Sequence, residues 1–188
     1  MRQQLDAPRI GPAQPGVAQL GGAQLGGAQP GAARLGAAQL GAAQLGRLVR
    51  QVADAGEWPG LVQFGPAGRW YGRLELTESY EIWLLTWLPG QHTGFHDHGD
   101  ASGAFAVVRG ELRESLARPG SDDVRRRSAA RGTVTTFGAR HLHDVGNDSG
   151  APAVSVHAYS PPLTAMRRYE MAPSGLALVR TELAEQDW

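Results

Sequence analysis

The stretch GQHTGFHDHGDASGAFAVVRG, from Gly90 to Gly110, decides the fold. One apolar run, Tyr80–Leu88, ends just before it, and a second, Gly103–Arg109, lies inside it. Between the runs stand His96 and His98, one residue apart. In a β-strand the side chains at i and i+2 share a face, so such a pair aims two imidazoles at one point. A third imidazole from a neighbouring strand completes a facial set, and His143 is placed to supply it. Neutral imidazole suits iron, zinc, copper and nickel, and three ligands leave room for a substrate or dioxygen. The pattern reads as a catalytic metal site.

Outward from this centre the texture is that of strands. Trp70–Leu76 and Tyr80–Leu88 are aromatic or β-branched runs joined by Thr77-Glu78-Ser79. Glu111–Leu116, Val124–Ala129, Thr133–Phe137, His141–Val145 and Ala153–Ser160 follow at short spacing, divided by Gly, Pro and Asp clusters. Many short strands without intervening helices predict a mainly β chain, an antiparallel sandwich or jelly-roll barrel. A short helix is expected from Leu45 to about Ala55, with Leu48, Val49 and Val52 on one face and Gly56 as its stop. A C-terminal helix is expected over Ser174–Glu185, with Ser174 as N-cap.

The glycines then acquire meaning. Gly90-x5-His96-x-His98-x4-Gly103-x6-Gly110, followed by Gly132-x5-Gly138 and His143-x3-Asn147, resembles the two motifs of the cupin jelly roll. Cupins usually carry a glutamate ligand where this chain has Gly103, which leaves three histidines and no carboxylate. A lone histidine is more often a satisfied structural residue, but two motifs together favour ligation. His141 competes with His143 for the third position, since both would face one side of a strand; the offset to Asn147 favours His143. His92 falls outside the motif and reads as a loop residue.

A closer resemblance rests on Ser155-x-His157-x-Tyr159-Ser-Pro-Pro after the third histidine and Tyr71-Gly72-Arg73 before the first pair. Over roughly residues 47–170 the chain is similar to the cysteine dioxygenase family of cupin thiol dioxygenases. That resemblance implies Fe(II) held by His96, His98 and His143, and addition of both atoms of dioxygen to the sulfur of L-cysteine, giving the sulfinate. It makes Arg73, with Tyr71 beside it, the binder of the substrate carboxylate, and Tyr159 a phenol near the iron, held by His157 and then Ser155. Arginine offers a planar fork matched to a carboxylate, and the period-two spacing puts Ser155, His157 and Tyr159 on one strand face. Arg167 and Arg168 are spare candidates for the carboxylate. Mammalian members place a cysteine at the Gly103 position and crosslink it to the tyrosine; bacterial members commonly have glycine there. This chain has no cysteine, so that thioether cannot form.

Composition bounds the rest. Acidic and basic residues balance at 18 each, which gives no electrostatic reason to expect nucleic acid or an anionic membrane as partner. The absence of cysteine excludes disulfides and thiolate chemistry and suits a reducing cytoplasm. No run is long enough for a membrane span, and the N-terminus does not read as a secretory signal. The expected partners are a small thiol and O2, and the expected state is a monomer. Residues 1–46 differ from the 47–188 domain: from Gly16 to Leu45 the sequence repeats every five residues, ending GAARL, GAAQL, GAAQL. Such sequence has little to bury and much entropy to lose, so disorder is the expectation; a pentapeptide β-helix, or a start codon further on, are the alternatives. Three rival functions stand beside cysteine oxidation. One is a 3-mercaptopropionate dioxygenase, whose members usually carry glutamine where Arg73 stands. The others are a non-catalytic metal-binding cupin sensor and a zinc or manganese cupin isomerase.

Overall fold

A computed structural model describes residues 38–184; most of the five-residue repeat, with the expectations attached to it, lies outside these residues. The described chain starts with a helix, α1 (Ala42–Ala55), and a short 3-10 turn, Trp58–Leu61. Eleven strands follow: β1 (Tyr71–Leu76), β2 (Glu81–Trp87), β3 (His96–Asp97), β4 (Ser102–Arg109), β5 (Glu111–Leu116), β6 (Arg125–Ala130), β7 (Val134–Phe137), β8 (His143–Gly146), β9 (Ala153–Ser160), β10 (Ala165–Ala172) and β11 (Gly175–Leu183). They form two antiparallel sheets, one ordered β1-β2-β9-β4-β7 and the other β11-β10-β3-β8-β5-β6.

The five-stranded sheet is apolar on both faces, which explains its nearly continuous hydrophobic strands. Along β9 all eight residues are buried. Val154, Val156 and Ala158 join Ile82, Leu84, Ala104 and Ala106 in a cluster under α1. The alternate residues, with Trp87, Phe105, Val107 and Tyr159, turn to the space between the sheets. The helix contributes Leu45 and Val49, one turn apart and fully buried, with Leu48 and Val52 packed partly against the same cluster. Gly56 ends it in the left-handed conformation (φ 71°), as its sequence position suggests.

The structure departs from expectation at both ends. The border at residue 46 falls inside α1, because the last GAAQL copy forms its first turn. Gly41 is the N-cap, its N–H donates to Oε1 of Gln44 (2.9 Å), and Leu45 is core. Leu40 is tied in as well, its N–H donating to Oγ of Ser160 (2.8 Å). The expected helix over Ser174–Glu185 is instead β11, paired along its length with β10. Pro173 and Ser174 make the turn between them, a position serine favours as readily as a helix cap. What selects the strand is tertiary: β11 carries Leu176 into the interior and sets Glu182 against the buried Arg168 (2.7 Å), contacts that override local propensity.

Candidate metal centre

Strand β3 is only two residues long, yet it is wedged between β8 and β10. Its register puts His96 directly opposite His143 on one side and Arg168 on the other. His98 follows one step past the strand, on the face of His96. The three rings converge, with centroids 4.7 Å (His96–His98), 4.8 Å (His96–His143) and 5.2 Å (His98–His143) apart. One ring nitrogen from each lies within 4.8 Å of the others.

Hydrogen bonding separates the nitrogens that support from those that face inward. Nδ1 of His96 lies 2.9 Å from the Gly94 carbonyl and Nδ1 of His143 lies 2.8 Å from Oε1 of Glu114. Each ring then donates from Nδ1 and presents the lone pair of Nε2, the arrangement usual around metal-bound imidazoles. His98 is buried, and neither ring nitrogen has a hydrogen-bond partner among the described residues. A buried polar group left so costs stability, and a metal ion held by the three rings would satisfy it. Burial first, then the neighbouring imidazoles, hold His96 and His98 well below the ordinary histidine value; burial lowers His143 too, against the pull of Glu114. All three are therefore neutral near pH 7, the form that ligates. The set fits a divalent metal ion.

His141 is not part of this set. Its Nε2 bonds the same Oε1 of Glu114 (3.0 Å) and its ring stacks on Phe137 at 4.7 Å. His92 lies outside as well, bridging to Gly146 and facing Asp148 at 3.2 Å. Asn147 is structural: its Nδ2 donates to the carbonyls of Trp87 (3.1 Å) and Ala151 (2.8 Å).

The facing sheet brings Ser155, His157 and Tyr159 together. Oγ of Ser155 is 2.8 Å from Nε2 of His157, whose Nδ1 is 3.3 Å from the Tyr159 hydroxyl. The Tyr159 ring lies 4.7 Å from that of His98, so the row ends at the metal centre. Burial pushes Tyr159 above the ordinary phenol range and His157 down to about 3. Gly103 stands opposite Tyr159 on β4. A Cβ there would fall on the Phe137 ring and 3.1 Å from Cδ1 of Tyr159, so glycine is what lets these rings close up.

One expectation needs correction. Arg73 does not line the pocket in front of the histidines. Its side chain is 47% exposed, lies 5.3 Å from the ring of Trp83, and is drawn to the Glu81 carboxylate at 3.7 Å. β1 is also irregular there, its register shifting between Arg73 and Glu75. The cations that do line the pocket are Arg69 and Arg168, and Tyr71 lines it too. Arg168 donates to Glu182 (2.7 Å) and to the Thr93 carbonyl (3.2 Å). Arg167 points to the other side and pairs with Asp97 at 2.9 Å.

Four supporting residues escape sequence reading. Glu114 braces His143, Trp87 donates its indole N–H to Ser155 (2.9 Å), Glu182 holds Arg168, and Arg69 faces the cavity. Glu114 alone leaves a signal, since it puts a carboxylate between Leu112 and Leu116 on the apolar face of β5.

The protein TT1209 of Thermus thermophilus superposes with a TM-score of 0.51 at 21% identity, over 56% of this chain and 95% of its own. An RmlC-like cupin from Desulfovibrio desulfuricans is similar at 21% identity and a TM-score of 0.46, over 54% and 91% of the two chains. The superposition with TT1209 concerns the fold alone, which is mainly β in two antiparallel sheets. Among curated proteins, cysteine dioxygenase type 1 of Danio rerio is 24% identical over 102 residues, 48% of this chain and 50% of the relative. The chain thus spans about half the length of that relative. The sequence profile of cysteine dioxygenase type I matches residues 41–172, from the start of α1 to the end of β10 and through every residue of the histidine centre. The chain belongs to the cysteine dioxygenase type I family.

Proposed function

We propose that the protein is an iron-dependent thiol dioxygenase that converts L-cysteine to cysteine sulfinate. The observation that carries this reading is the meeting of three neutral imidazoles, their free nitrogens turned inward, with the hydroxyl of Tyr159. Held by His96, His98 and His143, ferrous iron would supply the open positions and the electron exchange that dioxygen needs to react with sulfur. Both oxygen atoms end on sulfur, and the electrons sulfur gives up are those dioxygen takes, so no outside reductant is required.

The chain's own residues orient and protonate. The Trp87 indole can only donate, so it gives its hydrogen to Oγ of Ser155. Among the described residues Oγ of Ser155 has one other partner, His157, and therefore donates to its Nε2. His157, neutral through burial, then carries its proton on Nδ1 and donates to the Tyr159 oxygen. This assignment leaves the phenolic hydrogen of Tyr159 free to point at the reacting atoms, and with glycine at 103 the phenol stays uncrosslinked. Val145, Leu163 and Met166 give the pocket an apolar wall that limits water.

3-Mercaptopropionate is the second reading, and one observation favours it. Among the described residues that line the pocket none is Asp or Glu, so a substrate ammonium meets no counter-ion there. Reconstitution with Fe(II) under anaerobic conditions, followed by oxygen uptake on cysteine, 3-mercaptopropionate and cysteamine, tests both. The expected result is stoichiometric sulfinate, detected by mass spectrometry, with cysteine preferred. Uptake on 3-mercaptopropionate alone selects the second reading, and tight metal binding without uptake on any thiol points to a sensor.

A further inference from the structure

We infer that His141 is a positioning residue that limits how strongly His143 binds a metal ion, by sharing with it one oxygen of the Glu114 carboxylate. The inference rests on the three-histidine centre described above and gives a part to the histidine which that centre leaves out. Three observations carry it.

The carboxylate comes first. Three adjacent strands converge on it: β5 carries Glu114, β6 sets Arg127 directly opposite, and β8 brings His143 diagonally across. Glu114 is fully buried. Nδ1 of His143 (2.8 Å) and Nε2 of His141 (3.0 Å) both meet its Oε1, while Nε and Nη2 of Arg127 each lie 2.6 Å from its Oε2. Burial opposes the charge on Glu114, but the hydrogen bonds from His141 and His143 hold it well below the ordinary carboxylate range. An ionised carboxylate only accepts, so both imidazoles donate to the same oxygen.

The second observation is what that sharing does. A carboxylate behind a ligating imidazole draws on its N–H and makes the opposite nitrogen a stronger ligand. Here Oε1 divides its pull between two hydrogens, and Arg127 draws on the other oxygen. His141 is thus a counterweight. With it in place His143 stays a moderate donor; without it Glu114 pulls harder on Nδ1–H and Nε2 carries more negative charge. A more negative ligand stabilises a ferric ion over a ferrous one, so the counterweight favours the ferrous form.

The third observation is that the His141 ring is held for this contact. It stacks on Phe137 at 4.7 Å and 15°, and Phe137 stacks in turn on His98 at 5.3 Å and 23°. The stack fixes the plane of a ring that is 23% exposed and keeps Nε2 on the carboxylate. Glu114, His141 and His143 also lie close enough to hold an ion of their own. Their facing atoms are already bonded to one another, and Arg127 supplies the cation at the second oxygen.

The test uses the full chain without iron, titrated with Co(II) against a chelator, its visible d–d bands reporting the ligand field. Wild type is compared with His141→Phe, which keeps a stacked ring and loses the donor, and with His141→Gln, which keeps an N–H donor. Both replacements are uncharged, so the difference between them isolates the hydrogen bond. His141→Phe should bind Co(II) about two- to tenfold more tightly, a part of the roughly 10–100-fold that such a brace is worth, with His141→Gln within about twofold of wild type. The bands should move to higher energy in His141→Phe alone, and the midpoint potential of its iron form should fall. In a Glu114→Gln background His141→Phe should change Co(II) affinity by less than about twofold, since the shared charge is gone. Weaker or unchanged binding in His141→Phe, or equal behaviour of the Phe and Gln variants, overturns the inference; a residue that merely supports the fold gives the weaker binding. Two Co(II) per wild-type chain also overturns it, because His141 would then be a ligand. Should His141→Phe fail to fold by near-UV circular dichroism, His141→Leu takes its place with the same outcomes. Wild-type protein that binds one Co(II) and behaves as expected, but whose iron form oxidises no thiol, sinks the dioxygenase reading alone, and wild-type protein that binds no Co(II) overturns the inference with the metal centre.

Discussion

The two sheets meet at one pocket but are built on opposite plans. On the six-stranded sheet the histidines are anchored from behind, His96 by the Gly94 carbonyl and His143 by Glu114, and keep a nitrogen free in front. On the five-stranded sheet Trp87, Ser155, His157 and Tyr159 are bonded to one another in a row. The first plan makes lone pairs available to an incoming ion; the second hands hydrogen-bond direction along a chain to a single phenol. The difference teaches that binding and proton placement are separable here, because they rest on different strands and different partners.

The sharpest break of that division is on the ligand side. His98→Ala removes the candidate ligand that has no hydrogen-bond partner among the described residues, and bound iron, measured by elemental analysis, should fall below a tenth of wild type with turnover lost. His143→Ala should lose its iron likewise while His141→Ala keeps most of it, and the reverse pattern between these two would move the ligand from His143 to His141. On the other sheet Tyr159→Phe should leave iron content intact and lower turnover by about 10–1000-fold, the range of positioned proton donors. Oxygen uptake and sulfinate yield should also drift apart. Wild-type rate in that variant would make the residue core packing.

Smaller changes test the supports. Glu114→Gln keeps the shape of the brace behind His143 and removes its charge, so iron affinity in a chelator competition should fall by about 10–100-fold, while the Tyr159 row is untouched. Trp87→Phe keeps a ring under Arg69 and deletes the donor to Ser155, a change worth about 0.5–1.5 kcal/mol and thus roughly two- to tenfold in turnover; iron content should hold. Leu45→Ala, on the far side of the five-stranded sheet, should cost about 2–5 kcal/mol in denaturant unfolding and alter neither iron nor rate near wild-type folding conditions.

These outcomes bear on how far the chain could be read without coordinates. The histidine pair and the Ser155-His157-Tyr159 row were legible because a strand repeats every two residues, so spacing along the chain is direction in space. The expected strands lie where the structure has them, since their apolar runs are bounded by turn residues. Arg73 misled for the same reason that the row succeeded. It has the parity of Tyr71, but parity says nothing of the irregular pairing that follows it or of the Glu81 carboxylate that draws it aside. The last GAAQL copy misled by composition: identical to the copy before it, it becomes the first turn of α1 because Leu45 finds a buried place over the sheet.

By itself, then, the sequence determined the mainly β architecture, the three candidate ligands, the relay face of β9 and the impossibility of a thioether. Each follows from local periodicity or from residue identity. Tertiary structure alone decided that β11 is a strand, that Glu114 and Trp87 brace the two halves of the site, and that Arg69 lines the pocket where Arg73 does not. Those facts depend on which strands lie side by side, and pairing between residues as far apart as Arg73 and Glu81 or Glu114 and His143 is set by packing of the whole sheet, not by the neighbours of either residue along the chain.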